Sequence, residues 1–247
     1  MRRTFVVGDI HGDLDGLVTV MDKLPPLTED DTIVFLGDYL DRGPRSKEVV
    51  DFVRALPSHT RARVIPLRGN HEDAWLRVVT GGWPEFVAPV SNGCVATLRS
   101  FVGKPHVEGE MPSREEIEQM WHGLFFPEDV VGWMMSLPYF HEDEHGIYVH
   151  AGLVEDDDGF MHPSKVKVPA QMLWVRTMHF FTDYQGKTVV VGHTSTDYLP
   201  PELSRFTPED PDDTWASENV FAIDTGAGKG GFLTAFELPA RYVYESR

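Results

Sequence analysis

Cysteine occurs only once, at Cys94, so no disulfide can form within the chain. That suits a reducing compartment. Basic residues are also scarce, with 22 Lys and Arg against 39 Asp and Glu and a formal net charge of −17. A nucleic-acid binder usually carries a basic face, so no nucleic-acid partner is expected. A densely anionic ligand is admitted only where metals and local arginines reverse the field. No apolar run approaches the ~20 residues of a membrane span. The start, Met1-Arg2-Arg3-Thr4-Phe5, meets charge too early for a secretory signal. The expected setting is the cytoplasm, without a membrane.

What is present is the balance of a folded protein. Of 247 residues, 41% are hydrophobic and 25% charged, enough to bury a sizeable core. One pattern recurs five times: a short β-branched run stops at a polar cluster with Gly and Asp, His or Asn. Thr4–Val7 leads into Gly8-Asp9-Ile10-His11-Gly12-Asp13. Thr32–Leu36 leads into Gly37-Asp38-Tyr39-Leu40-Asp41-Arg42-Gly43, and Arg63–Leu67 into Arg68-Gly69-Asn70-His71-Glu72. Gly146–Val149 leads into His150-Ala151-Gly152, and Thr188–Val191 into Gly192-His193-Thr194.

Such runs read as buried strands. Helical faces follow the first two clusters, one of Leu14, Leu17, Val18, Met21 and Leu24 and one of Val49, Val50, Val53 and Leu56. Strand, polar turn, helix and strand again make an α/β fold, read here as a single domain over residues 1–247. Ligands of such folds sit beyond the carboxyl ends of the strands, so five clusters at five strand ends converge. Residues 73–142 lack the unit and read as a helical insertion at the rim of the site. Ser113-x-x-Glu116 looks like a capping box opening one of its helices. Val130, Trp133, Met134 and Leu137 mark another. Trp83, Trp121 and Trp133 are read as core. The acidic runs Glu155–Asp158 and Glu209–Asp213 read as exposed loops.

The clusters supply carboxylate, imidazole and amide donors, the set that holds divalent ions. The candidates are Asp9, His11, Asp38, Asn70, His150 and His193. Asp9 and His11, two apart, point to one face of a strand end. A carboxylate such as Asp38 has two oxygens and can bridge two ions. Two ions ~3.5–4 Å apart can share a water, lower its pKa and aim it at phosphorus.

Together these motifs resemble the signature of the phosphoprotein-phosphatase family of metallophosphoesterases. The segment Ala222-Ile223-Asp224-Thr225-Gly226-Ala227 is similar to that family's late strand and turn. The resemblance implies a β-sandwich of two mixed sheets flanked by helices. It implies a first metal on Asp9, His11 and Asp38 and a second on Asp38, Asn70, His150 and His193, with Asp38 as the bridge. Mixed nitrogen and oxygen donors suit manganese first, with iron and zinc as alternatives. Arg42 would grip the phosphate, joined by Asn70 and by Arg176 of Leu173-Trp174-Val175-Arg176. His71 would protonate the leaving oxygen, oriented by Asp41. His59, His106, His122, His141, His145, His162 and His179 match no motif and are read as core or surface. Cys94 is read as a small buried residue.

The family implies hydrolysis of a phosphoric ester. Asp41-Arg42-Gly43 and Asn70-His71-Glu72 favour its serine/threonine protein-phosphatase branch, with a phosphoprotein or phosphopeptide as partner. A symmetrical dinucleoside polyphosphate hydrolase, acting on diadenosine tetraphosphate, is the alternative. Asn92-Gly93-Cys94-Val95 resembles bacterial members of both kinds. A silent phosphate-binding regulator would need a broken ligand or a lost clamp, and these motifs contain neither.

Overall fold

The computed structural model describes every residue except Met1, Glu108, Thr207, Pro208 and Pro211. Pro211 lies within the acidic run 209–213, so that part of the run falls outside the described residues. Two five-stranded mixed sheets face each other. The chain runs β1 (Thr4–Val7), α1 (Leu14–Lys23), β2 (Thr32–Phe35), α2 (Ser46–Ala55), β3 (Arg63–Pro66) and α3 (Asn70–Val79). Three helices follow, α4 (Cys94–Val102), α5 (Arg114–His122) and α6 (Glu128–Ser136), then β4 (Phe140–Glu142), β5 (Ile147–Val149), β6 (Glu155–Asp156) and β7 (Gly159–Phe160). The remainder is α7 (Met178–Asp183), β8 (Val189–Val191), β9 (Trp215–Ala216), β10 (Val220–Ala222), β11 (Thr234–Leu238) and β12 (Tyr242–Glu245).

The first sheet has the order β12-β11-β1-β2-β3 and the second β4-β5-β8-β10-β9. In the first, the three cluster-bearing strands are parallel neighbours, β1 with β2 and β2 with β3; in the second, cluster-bearing β5 and β8 are parallel, and β10 runs parallel beside β8. Val6 pairs with Val34 and Val34 with Ile65. This register points one set of alternating side chains into the middle. Val6, Val34 and Ile65 meet Tyr148, Val190, Phe221 and Phe236 between the sheets. The other set, Phe5, Val7, Ile33 and Phe35, packs under α1, α2 and the insertion. Ile147, Val149, Val189 and Val191 pack on Phe180 and Phe181 at the outer face of the second sheet. Strands buried on both faces must be continuously apolar, which is why these runs do not alternate.

The helical faces hold with one difference. Leu17, Leu24, Val49, Val50 and Val53 are buried, but Val18 is turned to solvent. Ser113 caps α5 as expected: its hydroxyl accepts from Glu116 N, and the Glu116 carboxylate accepts from Ser113 N. Residues 73–142 hold most of α3 and all of α4, α5 and α6, and close on β4. Trp133 packs on Tyr39 and Trp83 on Phe86, whereas Trp121, expected in the core, is exposed. Residues 155–158, expected as a loop, belong to the exposed β6–β7 hairpin.

Candidate metal centre and phosphate cleft

Every strand that carries a motif delivers it to the same rim of the sandwich. Asp9 and His11 follow β1, Asp38 follows β2, Asn70 and His71 open α3 after β3, His150 follows β5 and His193 follows β8. All seven are buried. The turns are tight. Ile10 N and His11 N both donate to Asp38 O, at 3.1 and 2.8 Å. His11, Asp38, Asp41, Arg42 and His193 all have positive φ, between 47° and 71°, a region that non-glycine residues rarely occupy. Gly192 leaves room for Asp9, because a Cβ there would overlap Asp9 Oδ1.

The side chains form two groups that share Asp38: His11, Asp38 and His71, and Asp38, His150 and His193. His150 Nε2 and His193 Nδ1 each lie 2.8 Å from Asn70 Oδ1. His11 Nε2 lies 3.4 Å from Asp38 Oδ2, and His150 Nε2 3.6 Å from Asp38 Oδ1. His11 Nδ1 lies 2.8 Å from Leu40 O, and His150 Nδ1 2.9 Å from Leu36 O. A carbonyl only accepts, so each Nδ1 carries the proton and each Nε2 presents its lone pair inward.

Burial, then Arg42, push the His11 pKa well down, while burial lowers that of His150. Burial, then His150 and Arg176, lower that of His193. Three neutral imidazoles are the form that coordinates metal. Asp9 goes the other way, held well above the ordinary carboxylate range by burial, Asp224 and Asp38. Burial also works to raise Asp38, but His150, His71 and His11 outweigh it and keep it ionised.

The residues present fit a pair of ions. Asp9 Oδ1 and His193 Nε2 are buried without a hydrogen-bond partner among the described residues, and a buried polar atom normally has one. Three buried carboxylates, Asp9, Asp38 and Asp224, cluster with no fully buried Lys or Arg among the described residues around them, an arrangement that calls for positive charge.

His71 occupies a different position from the other imidazoles. Its Nδ1 is 2.6 Å from Asp41 Oδ2, and its Nε2 faces Asp38 Oδ2 at 3.9 Å. Burial works against its charged form, but Asp38 and the Asp41 hydrogen bond prevail and raise its pKa. Asp41 is itself held by Trp75 Nε1 at 2.9 Å and the Thr97 hydroxyl at 2.6 Å. Arg42 reaches His11 Nε2 at 2.8 Å. Arg42, Arg176, His193 and Lys229 line one cleft of about 730 Å³, with Val90, Met111 and Tyr198 at its sides. His106, which matches no motif, lines it too.

Several supporting residues carry no role in the motif reading. Glu72 accepts from the backbone N–H groups of Asp38, Tyr39 and Gly69 at 2.9, 2.9 and 3.0 Å, tying the second cluster to the third. Burial and the Asp38 charge push its pKa up to about 7 against those donors. Trp75 sits one turn after His71, a helical spacing that could have been noticed. Thr97 comes from α4 in the insertion, and nothing local marks it.

With this geometry in hand, comparison with known proteins gives the class. The chain belongs to the calcineurin-like phosphoesterase family, whose model matches residues 2–215. It is similar to the asymmetrical bis(5'-nucleosyl)-tetraphosphatase PrpE of Bacillus velezensis, 27% identical and covering 95% of this chain and 88% of that one. The same enzyme of Halalkalibacterium halodurans is also 27% identical, covering 95% and 89%. A catalytic subunit of protein phosphatase 2A from Dictyostelium discoideum is 34% identical over 90 residues, 36% of this chain and 28% of that one. Among solved structures, the cold-active protein-tyrosine phosphatase of a Shewanella species superposes with a TM-score of 0.56 at 18% identity, covering 96% and 75%. At these identities the structural likeness concerns the fold.

Proposed function

We propose that this chain is a two-metal phosphomonoesterase acting on phosphoserine and phosphothreonine in proteins. The metals would be held by Asp9, His11 and Asp38 and by Asp38, Asn70, His150 and His193. When bound, such ions lower the pKa of a shared water and polarise the phosphoryl group. The chain's own residues do the rest. Arg42 and Arg176 orient the phosphate through their planar donor pairs, with Asn70 beside them. His71 holds a proton at Nε2 for the leaving oxygen, and Asp41 fixes its ring and tautomer.

The His71–Asp41 pair carries this reading. An alkoxide leaves poorly unless it is protonated, whereas a phosphate leaving from an anhydride needs far less help. A buried imidazole held at 2.6 Å by a carboxylate is equipment for an ester. The second reading is a dinucleoside polyphosphate hydrolase. It is favoured by the relatives that match nearly the whole chain, which are named as tetraphosphatases.

Turnover of a phosphothreonine peptide and of diadenosine tetraphosphate in manganese separates them. We expect the peptide to have the higher kcat/KM. A preference for the dinucleotide of more than an order of magnitude overturns the ester reading in favour of the second.

A further inference from the structure

Among the described residues lining the cleft, Lys229 is a cation that the phosphoesterase reading leaves without a task. It stands in the glycine-rich turn from Gly226 to Gly231, between β10 and β11. Gly228 has φ +70°, and a Cβ there would overlap the backbone oxygen of His11. Only glycine permits that approach. The turn is therefore pressed against a metal-centre residue, and Lys229 is carried to the mouth of the cleft.

Its ammonium donates to Asp224 Oδ2 at 3.0 Å. Asp224 is fully buried, while the Lys229 side chain keeps 27% of its surface exposed. An ammonium has three donors, so two remain after Asp224 is served. Asp224 thus anchors the lysine without consuming it. Its charge is felt at both Asp9 and His11.

Beyond Lys229 the cleft continues into a second hollow of about 540 Å³. Lys229, Ser195 and Tyr198 line both spaces. Arg42 and Arg176 lie on the metal side of this boundary and not on the far side. The far hollow instead carries Asp197 and Asp212, while Arg247 on its wall is already paired with Glu245 and Asp210. Those carboxylates repel further phosphate but accept well from hydroxyl groups.

We infer that Lys229 is a substrate-specificity residue that binds a second phosphoryl group, adjacent to the one being transferred, in substrates with a phosphoanhydride chain. The sugar hydroxyls of such a substrate would extend toward Asp197 and Asp212. The inference rests on the two-metal phosphohydrolase reading and deepens its second form, the dinucleoside polyphosphate hydrolase. In a chain of net charge −17, a second phosphate needs a local cation of its own.

The test compares Lys229→Gln and Lys229→Arg with the native protein in manganese. Lys229→Gln should lower kcat/KM for diadenosine tetraphosphate roughly tenfold more than for nitrophenyl phosphate, the scale of one charge-assisted hydrogen bond. Lys229→Arg should recover most of the difference. Equal losses on both substrates would mean that Lys229 merely supports Asp224, and would overturn the inference. A second measurement needs no folded variant: at fixed free manganese, methylenebisphosphonate should inhibit native nitrophenyl phosphate hydrolysis with a lower Ki than orthophosphate. Equal Ki values count against a second phosphate site. Absence of manganese-dependent turnover of either substrate by the native protein would instead overturn the phosphoesterase reading itself.

Discussion

Backbone strain gathers at the candidate site and its supports. His11, Asp38, Asp41, Arg42 and His193 all hold left-handed conformations, at a cost of about 1–3 kcal/mol each. Surrounding contacts sustain them: Glu72 grips the turn at Asp38 and Tyr39, and the Thr97 hydroxyl accepts from Asp41 N at 2.7 Å. The strain turns consecutive side chains inward that a regular strand would send to opposite faces. One residue-scale prediction concerns His71. His71→Asn should slow hydrolysis of an alkyl phosphate by roughly 10²–10⁴-fold. Nitrophenyl phosphate, whose leaving group needs little protonation, should lose much less, as steady-state rates on the two substrates would reveal. Losses of equal size would remove His71 from the role of acid.

The elements divide into those that place the candidate ligands and those that surround them. The parallel strands end at one rim because their register aligns Val7 with Phe35 and Phe35 with Pro66. The insertion helices are tied to one another by a charged knot. Arg99 of α4 is fully buried and donates to Glu116 of α5 at 2.9 Å, while Lys104 reaches the same carboxylate at 2.8 Å. Arg99 lowers the Glu116 pKa below the ordinary carboxylate range. Glu116→Gln leaves the buried Arg99 guanidinium with Glu110 alone as its anionic partner, at 2.8 Å, and should cost about 2 kcal/mol near neutral pH. The sign follows from the depressed folded pKa. This stability is fully present above the unfolded Glu pKa of about 4.3 and is lost progressively as pH falls from there toward the depressed folded pKa. Urea unfolding of native and variant protein at pH 7 and at pH 3 should show the gap narrowing on acidification. A gap of unchanged size at pH 3 would assign the effect to packing.

At the scale of the whole molecule, a strongly acidic chain gathers Arg42, Arg176 and Lys229 along one cleft. The centre is arranged so that metal and proton compete at one residue above all. His11, His150 and His193 are already neutral, whereas Asp9 holds its proton well above the usual range. Metal binding should therefore release protons, and manganese affinity should rise with pH through the acid range. In the metal-free protein the sign is reversed. The raised Asp9 pKa contributes stability at low pH that fades as pH climbs through it. Calorimetric titration of manganese in buffers of different ionisation enthalpy would measure the proton count, and a count of zero would contradict the assignment of Asp9. Among the described residues no helix is long and apolar enough to cross a membrane.

Some of this is readable from the chain by itself. The five clusters, the strands before them and the Ser113 cap are short-range features, and local residue chemistry specifies them. So the strands starting at Thr4, Thr32 and Arg63 appear where the β-branched runs place them. Trp121 departs from expectation because helical periodicity shows that a face is apolar but not what will cover it; in the fold that face of α5 stays open. Thr97, Glu72 and Lys229 gain meaning only from the tertiary structure. Thr97 reaches Asp41 across 56 positions and Glu72 reaches Asp38 across 34. Lys229 lies at the cleft because a glycine lets its turn close on His11. Donor types can be read along a chain, but which donors converge depends on how two sheets pack.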